Sequence, residues 1–319
     1  MLLTDSLLLV VGLALLVKSA DLLVTGAASI AGRLGISPLV IGLTIVSFGT
    51  SLPELVVTLV SGLQHNADLA IANVIGSNIA NVLLVLGIAA IIRPLPVTDS
   101  TVVSEIPFSL TAALLVGFLA NAALFSHHPE LSISRLDGAI LLLFFALFML
   151  YVFKIGREKP RVEKARPALL PPLRCAVYIL LGIAGLYLGG GWVVDGAVGI
   201  AQSMGVDDAL IGLTIVAVGT SSPEIFASAV AAYRGQTDIA VGNVVGSNIF
   251  NLLFVLGVTS SVVELPFEVV NNTDLVMVIG SSALIVLALV ASRSYSILRS
   301  HGVMFVTLYA AYLVYVITR

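Results

Sequence analysis

The sequence predicts an all-α membrane protein of ten transmembrane helices, arranged as two five-helix repeats of inverted topology. Three observations lead there. Of the 319 residues, 59% are hydrophobic and only 10% are charged, and the mean hydropathy is +1.12, far from the composition of water-soluble domains. A small-polar passage ending on a glutamate is written twice inside this apolar sequence: Gly-Leu-Thr-Ile-Val-Ser-Phe-Gly-Thr-Ser-Leu-Pro-Glu from Gly42 to Glu54, and Gly-Leu-Thr-Ile-Val-Ala-Val-Gly-Thr-Ser-Ser-Pro-Glu from Gly212 to Glu224. Each is followed by a second shared passage, Asn-Val-Ile-Gly-Ser-Asn-Ile-Ala-Asn ending at Asn81 and Asn-Val-Val-Gly-Ser-Asn-Ile-Phe-Asn ending at Asn251, so the unit recurs at a constant offset of 170 residues. The third observation is that the basic residues fall in short polar connections, where they report orientation.

Apolar stretches long enough to cross a bilayer at about 1.5 Å per residue run over 5–32, 38–63, 69–92, 107–125, 137–154, 172–204, 209–232, 239–263, 274–292 and 301–318. The first begins just after Asp5 with no basic residue before it and no small-residue cleavage pattern after it, so it is expected to be a retained helix and not a removable signal. Spans two and three carry the first copy of the doubled passages, and spans seven and eight the second. The sixth is unusually long and contains Gly189-Gly190-Gly191 and Trp192, which suggests a bend or a close contact between helices. Asp68 and Asp238, at matching positions, are expected to cap the third and eighth helices.

Between the fifth and sixth spans lies the one strongly polar linker, with Lys154, Arg157, Lys159, Arg161, Lys164, Arg166 and Arg174 and with Pro171 and Pro172 near its end. The positive-inside rule places it in the cytoplasm. The remaining inside turns then hold Arg33, Arg93, Arg234, Arg293 and Arg299, while the outside turns and termini hold only Arg135 and Arg319. The expected organisation is a first repeat over 1–155, a basic linker over 156–171 and a second repeat over 172–319, in the inner (plasma) membrane with both termini outside. Five spans separate equivalent helices, so the two glutamate-bearing spans cross in opposite directions. Inverted repeats of this kind place a transported substrate near the bilayer midplane.

Composition also excludes. A single cysteine, Cys175, rules out an intramolecular disulfide and a cysteine-based metal site. A net charge of −3 gives no footprint for nucleic acid. His65, His127 and His128 fall in predicted outside loops. Lys18 and Asp21, one helical turn apart, are expected to pair with each other or to snorkel.

On the second span Thr44, Ser47, Ser51, Glu54, Thr58 and Ser61 recur at steps of three and four, which keeps them on one helical face. The seventh repeats this with Thr214, Ser221, Glu224 and Ser228, and has Ala217 where the first repeat has Ser47. Spans three and eight add Asn73, Ser77 and Asn81, and Asn243, Ser247 and Asn251. Lipid rejects such stripes, so they face one another or water. Pro53 and Pro223 remove an amide donor and press on the carbonyls of Gly49 and Gly219, which breaks each helix just before its glutamate. Carboxylates, hydroxyls, amide oxygens and freed carbonyls without His or Cys form an all-oxygen set for hard cations, Na+, Ca2+ or Mg2+, and the number of ligands favours Ca2+ among the divalent ions. One Ca2+ neutralises the glutamate pair, and so do two or more Na+; a loaded site can then change faces where an empty, charged one resists closing. Protons are a third candidate ligand, because carboxylates that share a site titrate as a coupled pair.

At these passages the chain resembles the calcium/cation antiporter superfamily, specifically the prokaryotic sodium/calcium exchangers, whose alpha-repeats carry Gly-Thr-Ser-x-Pro-Glu followed by Gly-Ser-Asn-x-x-Asn or Asp. The matching residues are Gly49 to Glu54 with Gly76 to Asn81, and Gly219 to Glu224 with Gly246 to Asn251, inside alpha-repeats at about 38–92 and 209–263. The resemblance implies a secondary antiporter exchanging Ca2+ for Na+ by alternating access, with no enzymatic activity and no cofactor. It implies a central cation site from Glu54, Glu224 and the backbone oxygens of Thr50 and Thr220, completed by Asn81 and Asn251. Flanking sodium positions would use the Ser47 carbonyl, Ser51 and Ser77 on one side, and the Ala217 carbonyl, Ser221 and Ser247 on the other. Asn251 stands where some relatives have Asp. A cation/proton or other divalent-cation exchanger of the same superfamily, a channel with a glutamate selectivity ring and an intramembrane hydrolase are the alternatives left beside it.

Overall fold

The structure is a computed structural model that describes residues 2–97, 104–122, 131–156, 170–205, 217–268, 271–292 and 295–318. Most of the basic linker (Arg157 to Arg166), Thr214, His127, His128 and Arg293 lie outside the described residues.

The helices follow the apolar runs. In chain order they are α1 (Leu2–Leu34), α2 (Pro38–Thr50), α3 (Leu52–Leu63), α4 (Ala67–Ile92), α5 (Ile106–Ala120), α6 (Arg135–Gly156), α7 (Pro172–Ser203), α8 (Ala217–Thr220), α9 (Ser222–Tyr233), α10 (Thr237–Val262), α11 (Asn271–Ala291) and α12 (Arg299–Thr318). Among the described residues seven are long and apolar enough to cross a membrane, and α2 with α3 makes an eighth if taken as one span bent by 47°. The chain is a multi-pass helical membrane protein. Four two-residue strands complete it: β1 (Leu95–Pro96), β2 (Ser132–Ile133), β3 (Leu265–Pro266) and β4 (Ser296–Ile297).

The packing is reciprocal. Strand β1, just after α4, pairs antiparallel with β4, just before α12, while β3, just after α10, pairs antiparallel with β2, just before α6. The last part of α4 packs on α12 and the last part of α10 on α6; α5 packs on α11 and α1 on α7. Equivalent elements of the two halves, β1 and β3 at an offset of 170 residues and β2 and β4 at 164, therefore meet equivalent partners in the other half. The centre is α10 and α4, with 94% and 72% of their most apolar windows buried, against 17% for α12. Val74, Leu83, Val244 and Leu253 there are fully buried.

Helices α1 and α7 hold 33 and 32 residues, about 50 Å each at the standard rise, more than a bilayer core needs, so both must tilt or extend past it. They cross antiparallel along a seam of glycines: Gly12 faces Gly189, Gly26 faces Cys175 and Ile179, Gly182 faces Leu23, and Gly196 faces Asp5 and Leu9. Small residues let the two backbones approach closely, which is how helices associate where lipid supplies no hydrophobic drive. Gly189 and Gly190 of the glycine run are thus in close contact with neighbouring helices, and α7 runs unbroken through them.

Helix ends differ in detail from expectation. Asn66, not Asp68, caps α4, its side chain accepting from the Leu69 amide at 3.1 Å. The N-cap of α10 is Gln236 without a side-chain bond, and Asp68 and Asp238 sit in the first turns, where a negative charge complements the helix dipole. The α3–α4 and α9–α10 corners are the same motif: His65 and Gly235 have φ of 60° and 76°, Asn66 and Gln236 donate to the carbonyls five residues back, and a left-handed C′ residue closes each helix. Asp21 pairs with Arg234, at the end of α9, and not with Lys18; the same guanidinium donates to Thr25 at 2.7 Å.

A Cβ at Gly182 would lie 2.7 to 2.9 Å from the Cβ, amide nitrogen and Cα of Leu23. Gly182→Val is expected to lower the thermal midpoint of the detergent-purified protein, equivalent to about 1–3 kcal/mol of overpacking. Gly280→Ala, where a Cβ meets nothing within 4 Å, should leave it unchanged or slightly raised, since Ala favours helix over Gly. Melting curves of both variants decide whether the α1–α7 seam is as tight as its geometry.

Candidate cation-binding site

Both proline-marked breaks are present. Helix α2 stops at Thr50, Ser51 adopts φ −87°, ψ 7°, and α3 restarts at Leu52 with Pro53 in its first turn. In the other half α8 stops at Thr220, Ser221 adopts φ −83°, ψ 4°, and α9 restarts at Ser222 with Pro223 in its first turn. A proline four residues on cannot donate to the Gly49 or Gly219 carbonyl, so each restart leaves a backbone oxygen without its helical donor. The breaks bring Glu54 and Glu224 into the middle of the bundle, where both are fully buried.

The stripes read from the sequence turn inward together. Ser47, Thr50, Ser51, Glu54, Thr58, Ser77, Asn81, Ser221, Glu224, Ser228, Asn243, Ser247 and Asn251 are all at most 5% exposed. The contacts run across the two halves. Ser51 donates its hydroxyl to Glu224 Oε1 at 3.1 Å, and the Thr50 hydroxyl lies 3.1 Å from Asn243 Oδ1 and 3.5 Å from Ser247 Oγ.

What remains unpartnered is equally informative. Both Glu54 oxygens, Glu224 Oε2, the Ser221 hydroxyl and the whole side-chain amides of Asn81 and Asn251 are buried without a hydrogen-bond partner among the described residues. Buried polar groups are normally satisfied, and leaving one unmade costs about 1–3 kcal/mol, more when charged. The unpartnered oxygens of this cluster fit a hard cation as the missing partner. The Ser47 carbonyl already accepts from the Ser51 amide at 3.0 Å and the Thr50 hydroxyl at 3.3 Å, so any ion there shares it with protein donors. Ala217 opens α8. Among the described residues no cluster of three or more His, Cys, Asp or Glu forms a separate metal site.

Three features were not legible as roles. The α-helical ladder widens to π turns at Asn81–Leu86 and Phe250–Val255, starting at or beside the two candidate asparagines; such turns often mark functional sites, but nothing in the residue types announces them. Asn73 and Asn243 act as braces: Asn73 Nδ2 donates to Thr58 Oγ1 at 2.9 Å and to the Glu54 carbonyl at 3.3 Å, and Asn243 Nδ2 donates to Ser228 Oγ at 2.9 Å. The matched Asn–hydroxyl spacing in both halves was the available signal. Third, the matched glycines differ: Gly76 faces open space, whereas a Cβ at Gly246 would meet Leu43 and Ser47.

A bundle of apolar helices closed around two carboxylates and a ring of neutral oxygens is the build of a membrane protein that handles hard cations. The chain belongs to the sodium/calcium exchanger protein family, whose model matches residues 5–154 and 175–318. It is 37% identical over 319 residues to the putative antiporter CaxA of Alkalimonas amylolytica, covering 97% of this chain and 98% of that one. It is 31% identical to the sodium/calcium exchanger MaX1 of Methanosarcina acetivorans over 98% of this chain and 99% of that one. A solved structure of the sodium-calcium exchanger NCX_Mj, soaked with Na+ and Sr2+, superimposes with a TM-score of 0.81 at 32% identity, covering 98% of each chain.

Asn243→Ala removes bonds to Thr50 and Ser228 in a fully buried place, so it is expected to destabilise the purified protein by about 1–3 kcal/mol. Asn73→Ala, at a half-buried position, should cost less. Thermal unfolding of the two variants side by side checks the order.

Proposed function

We propose that the chain is a secondary antiporter that exchanges Ca2+ for Na+ across the membrane by alternating access. The observation that carries this reading is the pair of fully buried glutamates with three of their four oxygens unpartnered among the described residues. One Ca2+, or at least two Na+, supplies the missing positive charge, so the two ions compete for one place and cross in opposite directions. The kinship with MaX1 and NCX_Mj supports those ions. Glu54 and Glu224 are the charged ligands. Thr50 and Thr220 contribute backbone oxygens, Asn81 and Asn251 complete the middle, and Ser47, Ser51 and Ser77 with Ala217, Ser221 and Ser247 hold the flanking Na+ positions.

In this reading the chain crosses the membrane ten times in two inverted five-helix repeats, over 1–155 and 172–319, joined by the basic cytoplasmic linker over 156–171, with both termini outside the plasma membrane. The antiparallel crossing of α1 and α7 and the exchanged strand pairs β1·β4 and β2·β3 support inverted repeats. In this reading the chemistry is ligand exchange alone, with no enzymatic step.

Radioactive-calcium uptake into proteoliposomes preloaded with Na+, against K+ or choline, tests the exchange. Uptake should require internal Na+, and Glu54→Gln or Glu224→Gln should abolish it by leaving one charge for a divalent ion. Sodium-independent uptake driven by a pH gradient would move the reading to proton coupling, and downhill flux alone would make the protein a channel. Asn251→Asp adds a third carboxylate and is expected to change cation selectivity or the pH response of uptake; an unchanged profile would remove Asn251 from the ligand set.

A further inference from the structure

Two buried hydroxyls and one amide link the helical break before Glu54 to the helix that carries Glu224. Thr50, the last residue of α2, shares its single hydroxyl proton between the Ser47 carbonyl at 3.3 Å and Asn243 Oδ1 of α10 at 3.1 Å. The Asn243 amide is anchored at its other end, where Nδ2 donates to Ser228 Oγ at 2.9 Å. Ser228 follows Glu224 by one turn of α9. Thr50, Asn243 and Ser228 are all fully buried, where a hydrogen bond is stronger than in water and an unmade one costs more.

The matched asparagine of the first half makes no such link. Asn73 is half-buried and donates to Thr58 and to the Glu54 carbonyl, both in its own half. The link through Asn243 also differs from the other bond that crosses the halves at this break, Ser51 to Glu224 Oε1 at 3.1 Å. That bond joins two of the oxygens assigned to the ion. Thr50 enters the Asn243 link by its hydroxyl, while its backbone oxygen is the assigned ligand, and Asn243 and Ser228 hold no ligand position.

We propose that Asn243 is a positioning residue that sets the preference for Ca2+, by fixing the break of α2 against α9 and with it Glu54 against Glu224. This rests on the exchanger reading above. Two oxygens bound to one Ca2+ lie at most about 5 Å apart, twice the longest metal–oxygen distance, so a single divalent ion demands that both carboxylates be held together. Two Na+ make no such demand, because each carboxylate can neutralise its own ion. A link that keeps the two halves in register therefore favours the divalent ion selectively. It takes up no ligand oxygen, so it stays closed when the site is loaded.

The test is the half-saturating concentration of Ca2+ and of Na+ for sodium-driven calcium uptake into proteoliposomes, in wild type, Asn243→Ala, Ser228→Ala and Gly182→Val. Asn243→Ala opens the link at its centre and is expected to raise the half-saturating Ca2+ about tenfold; Ser228→Ala, which removes only the anchor of the amide, should raise it about threefold. The half-saturating Na+ should move by no more than about twofold in either. Gly182→Val strains the α1–α7 seam away from the link and controls for lost stability, so the ratio of its two concentrations should match that of wild type. Equal shifts for both ions in Asn243→Ala and Ser228→Ala would make Asn243 a structural brace alone and overturn the proposal, as would an unchanged half-saturating Ca2+ in Ser228→Ala or a Ca2+-selective shift in Gly182→Val. Where Asn243→Ala does not yield folded protein, Ser228→Ala decides. Wild-type protein without sodium-dependent uptake would overturn the exchanger reading itself, and the positioning role with it.

Discussion

The structure depends on two carboxylates held out of water with no fixed positive charge beside them. Glu54 and Glu224 are fully buried, and among the described residues no salt bridge reaches either. Acidic groups at such depth are costly unless neutralised, and no side chain among the described residues does so. The rest of the architecture serves that placement. Broken helices release carbonyls beside each glutamate, asparagine and hydroxyl side chains from α2, α3, α4, α9 and α10 are buried in the bundle, and glycines let α2 approach α10 where Gly42 and Gly242 meet backbone to backbone. In the proposed reading, a mobile cation completes the electrostatic balance of the core.

The two halves share a plan without being equal. Ser51 reaches across to Glu224, while its counterpart Ser221 has no such bond to Glu54. Asn243 braces Thr50 across the halves, whereas Asn73 stays with Thr58 and Glu54 of its own half. Ser47 is matched by Ala217 and Leu52 by Ser222. A site made from two related halves can thus present different oxygens on its two sides, which is what a protein binding one divalent or several monovalent ions in overlapping positions requires.

Much of this was legible in the residues. The doubled passages located the glutamates, the three-and-four spacing of Thr44 to Ser61 put the polar groups on one face, and Pro53 and Pro223 marked the breaks at Ser51 and Ser221. Those signals are local: a helical period and a missing amide survive any tertiary context. What was not legible depends on contacts between distant segments. The π turns beside Asn81 and Asn251 have no signature in residue type. Asp21 finds Arg234, 213 residues away, in preference to the Lys18 one turn back. The caps at Asn66 and Gln236 replaced those expected at Asp68 and Asp238, because the left-handed corners at His65 and Gly235 start the following helix two residues earlier.

The most direct measurement is a calorimetric titration of Ca2+ into the detergent-purified protein at a series of Na+ concentrations. If the buried glutamate pair is one place contested by both ions, Na+ must weaken Ca2+ binding, and because at least two Na+ match the charge of one Ca2+, the apparent affinity should fall more steeply than in inverse proportion to Na+. A Ca2+ affinity that does not change with Na+ would mean that the two ions bind apart, and would contradict the shared, charge-compensated site.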